Sequence, residues 1–237
     1  MSVLLVTGTG AGVDTTVVSA ALAAVALRRG SACTVLLPAQ TGLLDGAPGE
    51  LDRVLRLAPG TGVRELVRYP DALSPAAAAR ASARPALDPA ACVQAVLDAE
   101  AAADLVVVVG GGGLLVRYDE DGFTMAELAR TLHLPLLVAT AVGAGAVNAA
   151  ALTLEVVAAR GLDLDGLVIA AWRQPPDLAA CSDVADLEML AARPLLGVLP
   201  AGLEHVSPAA FTAAAQDGLG PSHGGSFDAT AFRSSVR

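Results

Sequence analysis

The residues with the clearest chemical pattern form a glycine-rich loop near the start of the chain. Residues 8–16 read G-T-G-A-G-V-D-T-T and lie between an apolar, strand-like stretch and a helix-like one. Loops of this form hold nucleotide phosphates with backbone N–H groups, a helix N-terminus and one lysine, while a Ser or Thr hydroxyl binds magnesium. The loop has the form of a phosphate site but contains no lysine.

The charged composition limits the chemistry further. All 15 basic residues are arginine, so no mechanism can use a lysine amine of this chain. The formal net charge of −9 disfavours nucleic acid or an anionic membrane as a partner, because either would repel the protein. We therefore expect a small-molecule ligand.

The elements that must position this loop alternate in type. Six apolar runs are predicted strands, at residues 3–7, 32–37, 105–109, 134–140, 166–171 and 195–199. Helical patterns lie between them at residues 15–29, 89–103, 125–132, 145–160, 182–192 and 208–215. This alternation predicts a doubly wound α/β fold, with a mostly parallel sheet and helices on both faces. The loops after Val6, Leu37 and Val109 should then converge at the carboxyl ends of the strands.

The length of 237 residues favours one domain. We place that domain at residues 1–217 and interpret residues 218–237, which are rich in Gly and Ser, as a mobile tail that adds nothing to the core. No apolar run reaches the roughly 18 residues of a membrane span, and no signal peptide is recognised. The expected location is cytoplasmic.

Motifs in the same order resemble those of dethiobiotin synthetases, a family with a P-loop NTPase-like fold. Residues 6–16 are similar to the family's V-T-G-T-x-x-x-V-G-K-T, residues 36–42 to V-K-P-V-Q-T-G, and residues 108–116 to V-E-G-A-G-G-L-L-V. Glu50 stands where the resemblance implies a magnesium-binding aspartate. The likeness covers roughly residues 1–215.

The sequence departs from the family pattern at four positions. Asp14 replaces a glycine, Thr15 the phosphate-binding lysine, Leu37 a second, catalytic lysine, and Val109 a metal-associated glutamate. These changes remove cations and add an anion. A carboxylate about 4 Å from a phosphate charge costs on the order of 1 to 4 kcal/mol. Each lost phosphate-stabilising group costs roughly 3 to 4 kcal/mol in rate.

The resemblance implies an enzyme that condenses 7,8-diaminopelargonate with CO2, phosphorylates the carbamate with ATP and closes a cyclic urea. The four departures instead predict a repurposed enzyme without ATP, magnesium or another metal, which carries out a cyclisation, elimination or isomerisation in the old substrate pocket. Its predicted catalytic residues are Asp14, Thr41 and Glu50. The predicted substrate-binding residues are Thr9, Thr16, Gln40, Gly110, Gly113 and Arg117.

Two other functions stay open at this point. The chain could be a catalytically silent binding or regulatory homologue, or a working ATP- and magnesium-dependent dethiobiotin synthetase in which Arg117 or a partner's arginine replaces the lysines. Asp14 could also be only a helix N-cap. The resemblance implies a homodimer.

Overall fold

Continuous apolar runs form the strands of one sheet in the computed structural model, which describes residues 2–236. The strands are β1 (Ser2–Gly8), β2 (Cys33–Thr41), β3 (Gly62–Tyr69), β4 (Leu105–Gly110), β5 (Leu136–Thr140), β6 (Leu164–Trp172) and β7 (Gly197–Pro200). All neighbouring pairs are parallel, in the order β3-β2-β4-β1-β5-β6-β7. The parallel, doubly wound sheet expected from the sequence is confirmed.

The central strand β1 marks the point where the chain changes direction across the sheet. Leu5 of β1 is paired with Val108 of β4 on one side and with Leu136 of β5 on the other. Strands β2 to β4 lie on one side of β1, and β5 to β7 lie on the other. In open α/β sheets, ligands bind in the crevice at such a switch point, beyond the carboxyl ends of the strands.

Helices cover both faces of the sheet. They are α1 (Thr15–Arg28), α2 (Glu50–Leu57), α3 (Pro75–Ala81), α4 (Pro89–Ala102), α5 (Met125–Leu132), α6 (Ala146–Ala159), α7 (Leu178–Ala191), α8 (Pro208–Gly218) and α9 (Ala229–Ser235). Helices α1, α2 and α8 share a core with one face, while α4 and α5 pack on the other. Within residues 2–236, no helix combines the length and hydropathy that crossing a bilayer requires.

Helix α1 is buried almost all round, which explains its composition. Residues 15–25 are all buried, and most of them are Ala or Val. A helix that is apolar on every side must be enclosed by other elements, here the sheet, α2 and α8. The N-terminus of α1 is therefore held rigidly behind the glycine-rich loop.

Strand β3 and helices α2, α3 and α9 were not predicted from the sequence. β3 is an edge strand in which Arg64, Glu65 and Arg68 interrupt the apolar pattern, as is common for edges exposed to solvent. α2 has only eight residues, but Leu51, Val54 and Leu57 form a buried helical face. β3 and α2 border the candidate site through Arg68, Glu50 and Arg53.

The C-terminal residues pack against the core, which corrects the expectation that residues 218–237 add nothing to it. Leu219 is fully buried and pairs with Gly197 in an antiparallel bridge. Phe232 of α9 packs edge-to-face on Trp172, with ring centroids 5.1 Å apart. Arg233 forms an ion pair with the buried Glu188 at 2.7 Å. The mobility of this segment stays a prediction.

Leu219→Ala should lower the free energy of unfolding by about 2 to 5 kcal/mol, because it leaves a cavity in the core. Leu178→Ala is the matched control, since Leu178 is 87% exposed and its loss should cost less than about 0.5 kcal/mol. Urea denaturation measures both. Equal midpoints for the two variants would mean that residue 219 does not belong to the core.

Candidate active site

The glycine-rich loop between β1 and α1 presents unpaired backbone N–H groups. Thr9 N donates to the carbonyl of Ala139 at 3.0 Å and ties the loop to β5. Within residues 2–236, the amides of residues 10–14 have no acceptor. Gly12 has φ +83°, a conformation that favours glycine. These amides lie at the positive end of α1 and fit an anion.

Asp14 is the N-cap of α1. Its Oδ1 accepts from Val17 N at 3.0 Å, and its Oδ2 forms an ion pair with Arg53 Nη2 from α2. The side chains of Asp14 and Arg53 are 28% and 31% exposed, respectively. Asp14 is therefore a helix cap in the structure, and the guanidinium of Arg53 compensates its negative charge.

Gln40, Glu50 and Thr16 form a chain of hydrogen bonds that joins three elements. Gln40 Oε1, at the end of β2, accepts from Glu50 N at 2.9 Å. The Glu50 carboxylate in turn accepts from Thr16 Oγ1 of α1 at 3.2 Å. A P-loop hydroxyl and a carboxylate at this separation are the oxygen ligands that magnesium uses in nucleotide sites.

The electrostatic environment disfavours the charged form of Glu50. Burial raises the pKa of its carboxyl above the ordinary value, and the nearby Asp14 raises the pKa further. The hydrogen bond from Thr16 and the charge of Arg53 act in the opposite direction. Such a carboxylate gains from a cation placed against it.

Arginines fix the segment that leads to Glu50. Arg68 donates to the carbonyls of Ala47 at 2.5 Å and Leu44 at 3.3 Å. Arg84 holds Asp45 through two bonds of 2.7 and 2.9 Å. The position of residues 43–49 therefore depends on two guanidinium groups rather than on a regular element.

Gly49 lets this segment approach the end of β2. A Cβ at this position would lie 2.9 Å from Gln40 Oε1 and 3.1 Å from Arg68 Nη2. Any other residue would have to displace one of these polar groups. Gly49 thus permits the hydrogen bond between Gln40 and Glu50.

A cavity of about 310 Å³ opens beside the Glu50 carboxylate. Its walls are mainly apolar, with Thr41, Ser74 and Glu50 as the polar side chains apart from the phenol of Tyr118. The lining residues are Leu37, Ala39, Thr41, Glu50, Leu73, Ser74, Pro75, Gly111, Gly112, Val116 and Tyr118. Apolar walls with a few polar groups are typical of sites for small molecules.

The structure brings together five of the predicted site residues: Asp14, Thr16, Gln40, Thr41 and Glu50 lie around the start of α1 and this cavity. Two others, Thr9 and Gly113, line a separate open cavity of about 420 Å³ with Asn148.

Gly110 and Arg117 differ from the rest. At Gly110 a Cβ would meet Met125 at 2.5 Å, so this glycine permits close packing of α5. Arg117 is exposed and lines neither cavity. The expected substitute cation was Arg117 or a partner's arginine, whereas the arginine that contacts this loop within the chain is Arg53.

The remaining departures from the family pattern are buried. Thr15, Leu37 and Val109 are 4%, 2% and 1% exposed. Leu37 and Val109 belong to the core beneath α1. Apolar packing of Leu37 and Val109 occupies two of the positions where the resemblance implies charged groups.

The residues present fit nucleotide phosphates and magnesium through main-chain N–H groups and oxygen ligands. The free amides of residues 10–14 suit phosphate oxygens, and Thr16 and Glu50 suit one magnesium ion. Within residues 2–236, no group of three or more His, Cys, Asp or Glu side chains could hold a metal ion. Magnesium commonly takes only one or two protein oxygens and completes its shell with water and substrate phosphates.

Sequence reasoning missed Arg53 because α2 was not assigned. The signal was present: residues 50–57 read E-L-D-R-V-L-R-L, with apolar residues at helical spacing. Glu50 and Arg53 are then three residues apart and adjacent on the helix surface. Assigning this helix would have placed a cation next to the predicted carboxylate.

Asp14→Ala should have a free energy of unfolding about 1 kcal/mol lower than that of Asp14→Asn, because Asn keeps an oxygen that can cap α1. Urea denaturation measures the difference. Both variants lose the partly exposed ion pair with Arg53, so the difference reports the cap alone. Equal stability of the two variants would show that the bond to Val17 N contributes nothing.

Comparisons with known proteins place this geometry in a family. A family model described as an AAA domain matches residues 2–209. The chain is 52% identical over 98% of both chains to the ATP-dependent dethiobiotin synthetase BioD of Parafrankia sp. (strain EAN1pec). It is also 52% identical, again over 98% of both chains, to the protein of that name from Frankia casuarinae.

A solved structure with a similar fold is the septum site-determining protein MinD of Pyrococcus horikoshii in complex with Mg-ADP. The TM-score is 0.59 and the sequence identity 14%, over 90% of this chain and 92% of the other. At this identity the likeness supports the P-loop NTPase-like fold alone.

These comparisons correct the prediction of an ATP-independent enzyme. Proteins that share about half of their residues with this chain over nearly its full length are named ATP-dependent. The interpretation that the first loop has lost its phosphate chemistry was part of the same prediction and is corrected with it. The physical reason lies in the site: the charge of Asp14 is compensated by Arg53, and the loop amides remain free.

Proposed function

We propose that this chain, which belongs to the dethiobiotin synthetase family, is itself an ATP-dependent dethiobiotin synthetase. It would close the cyclic urea of dethiobiotin from 7,8-diaminopelargonate and CO2. The observation that carries the proposal is 52% identity over 98% of both chains to a protein of that name. The free amides of residues 10–14 and the contact between Thr16 and Glu50 support it.

The phosphates of ATP would bind at residues 10–14, where backbone N–H groups at the N-terminus of α1 offer positive potential. Thr16 and Glu50 would hold magnesium, whose charge offsets that of the phosphates. Phosphoryl transfer depends mostly on positioning and on stabilising negative charge. Main-chain dipoles supply part of that stabilisation without any lysine.

The diamine and its carbamate would occupy the cavity beside Glu50. Its apolar residues, among them Leu37, Leu73 and Val116, suit an alkyl chain, and Thr41 and Ser74 can bind polar groups. Glu50 lines this cavity and also contacts Thr16 at the start of α1. This shared residue would bring the carbamate next to the phosphates.

The direct experiment incubates purified protein with 7,8-diaminopelargonate, bicarbonate, ATP and Mg²⁺ and measures dethiobiotin by mass spectrometry. We expect product that requires both ATP and Mg²⁺. No dethiobiotin from protein that binds the diamine would overturn the proposal and favour a catalytically silent homologue.

Glu50→Gln should reduce the rate of dethiobiotin formation by about 100- to 1,000-fold, because it removes the carboxylate charge proposed to hold magnesium. Gln can still accept from Thr16, so the fold should persist. Glu155→Gln is the control, since Glu155 is exposed on α6. Full activity of the Glu50 variant at limiting Mg²⁺ would exclude this residue as a ligand.

The expected homodimer belongs to the proposal. Leu115 and Leu152 are 44% and 62% exposed, and they border the cavity that contains Thr9 and Asn148. Exposed apolar side chains grouped in this way are typical of a protein interface. Light scattering should give twice the mass of one chain.

Absence of nucleic-acid binding and a cytoplasmic location stay predictions from charge and sequence.

A further inference from the structure

Arg53 lies beside the proposed phosphate site although it is far from that site in sequence. It follows Glu50 on α2, and its Nη2 forms an ion pair with Asp14 Oδ2. Asp14 caps α1 through Val17 N, directly after the free amides of residues 10–13. Only the side chain of Asp14 therefore separates the Arg53 guanidinium from the loop whose amides fit phosphate.

Arg53 also has hydrogen-bonding capacity left. A guanidinium has five N–H donors, and within residues 2–236 the donors on Nε and Nη1 of Arg53 have no acceptor. The other arginines of this region are committed: Arg68 and Arg84 hold residues 43–49, and Arg56 donates to the carbonyl of Glu204 at 2.5 Å. Arg53 is 31% exposed and accessible to a ligand.

We propose that Arg53 is the phosphate-binding cation of this site and that Asp14 positions it there. The proposal rests on the proposed ATP-dependent function. The planar guanidinium can bind a carboxylate with one edge and phosphate oxygens with its remaining donors. An aspartate at the glycine position of the loop then has a purpose, because it holds the cation of a chain that contains no lysine.

A simpler role for Arg53 would be to neutralise Asp14, so the experiment must separate the two. Removing Arg53 alone would leave the Asp14 charge next to the phosphates and weaken ATP binding in either case. The informative comparison uses Asp14→Asn as the background, because there is no charge left to neutralise. Isothermal titration calorimetry with MgATP in the absence of the diamine gives the Kd of Asp14→Asn and of the double variant Asp14→Asn/Arg53→Ala.

The double variant should bind MgATP about 10- to 100-fold more weakly than Asp14→Asn, the effect of losing a charge-assisted hydrogen bond. Arg56→Ala is the control on the same helix and should bind MgATP as the unmodified protein does. Urea denaturation of the double variant and Asp14→Asn checks that both are folded. Asp14→Asn/Arg53→Lys should recover part of the affinity, because lysine restores the charge without the planar geometry.

Equal Kd values for Asp14→Asn and the double variant would overturn the role of Arg53 and leave the proposed function intact. If the unmodified protein does not bind MgATP, as judged by calorimetry at two temperatures, both proposals fail. A weaker Kd in the double variant together with an unchanged Kd in Arg56→Ala supports Arg53 specifically.

Discussion

The site depends on one contact, the hydrogen bond from the Thr16 hydroxyl to the Glu50 carboxylate at 3.2 Å. Thr16 belongs to α1, which the sheet, α2 and α8 enclose. Glu50 starts α2 and is reached through a segment that Arg68 and Arg84 tether. The contact therefore joins a rigid core helix to a segment held by polar bonds. A ligand that binds the oxygens of both Thr16 and Glu50 therefore requires both α1 and this segment to stay in place.

Charge in this site is balanced between elements rather than within the loop. Asp14 adds an anion at the N-terminus of α1, and Arg53 from α2 compensates it. Glu50 has a raised pKa because it is buried and lies near Asp14. The three groups form a coupled set, so the effect of replacing one of them depends on the other two. Asp14 disrupts the motif when the loop sequence is considered alone, but in the folded protein it forms an ion pair with Arg53.

The sequence was sufficient for the main fold because buried parallel strands and helices leave strong apolar patterns. All six predicted strands and six predicted helices exist, with shifts of a few residues at their ends. It failed for β3 and α2, where charged residues interrupt the pattern, and for the seven-residue helix α3. It also failed for the C-terminal residues, where composition concealed the burial of Leu219. Motif order grouped Thr16, Gln40 and Glu50, which the structure brings into contact, but it could not show that Arg53 reaches Asp14. Contacts between distant segments of the chain leave little trace in local pattern.

The prediction that ATP chemistry is lost considered the charges that four substitutions remove or add, but not the contacts that the replacing residues make. Two of them, Leu37 and Val109, contribute to the core under α1, and their apolar side chains leave no unpaired charge there. A third, Asp14, is paired with Arg53, so its repulsion of phosphate is smaller than that of a bare carboxylate. The main-chain amides, which no substitution removes, still face no competing acceptor within residues 2–236. Loops of this kind bind phosphate through both backbone N–H groups and side chains, so the loss of lysine leaves the backbone donors of residues 10–14 in place.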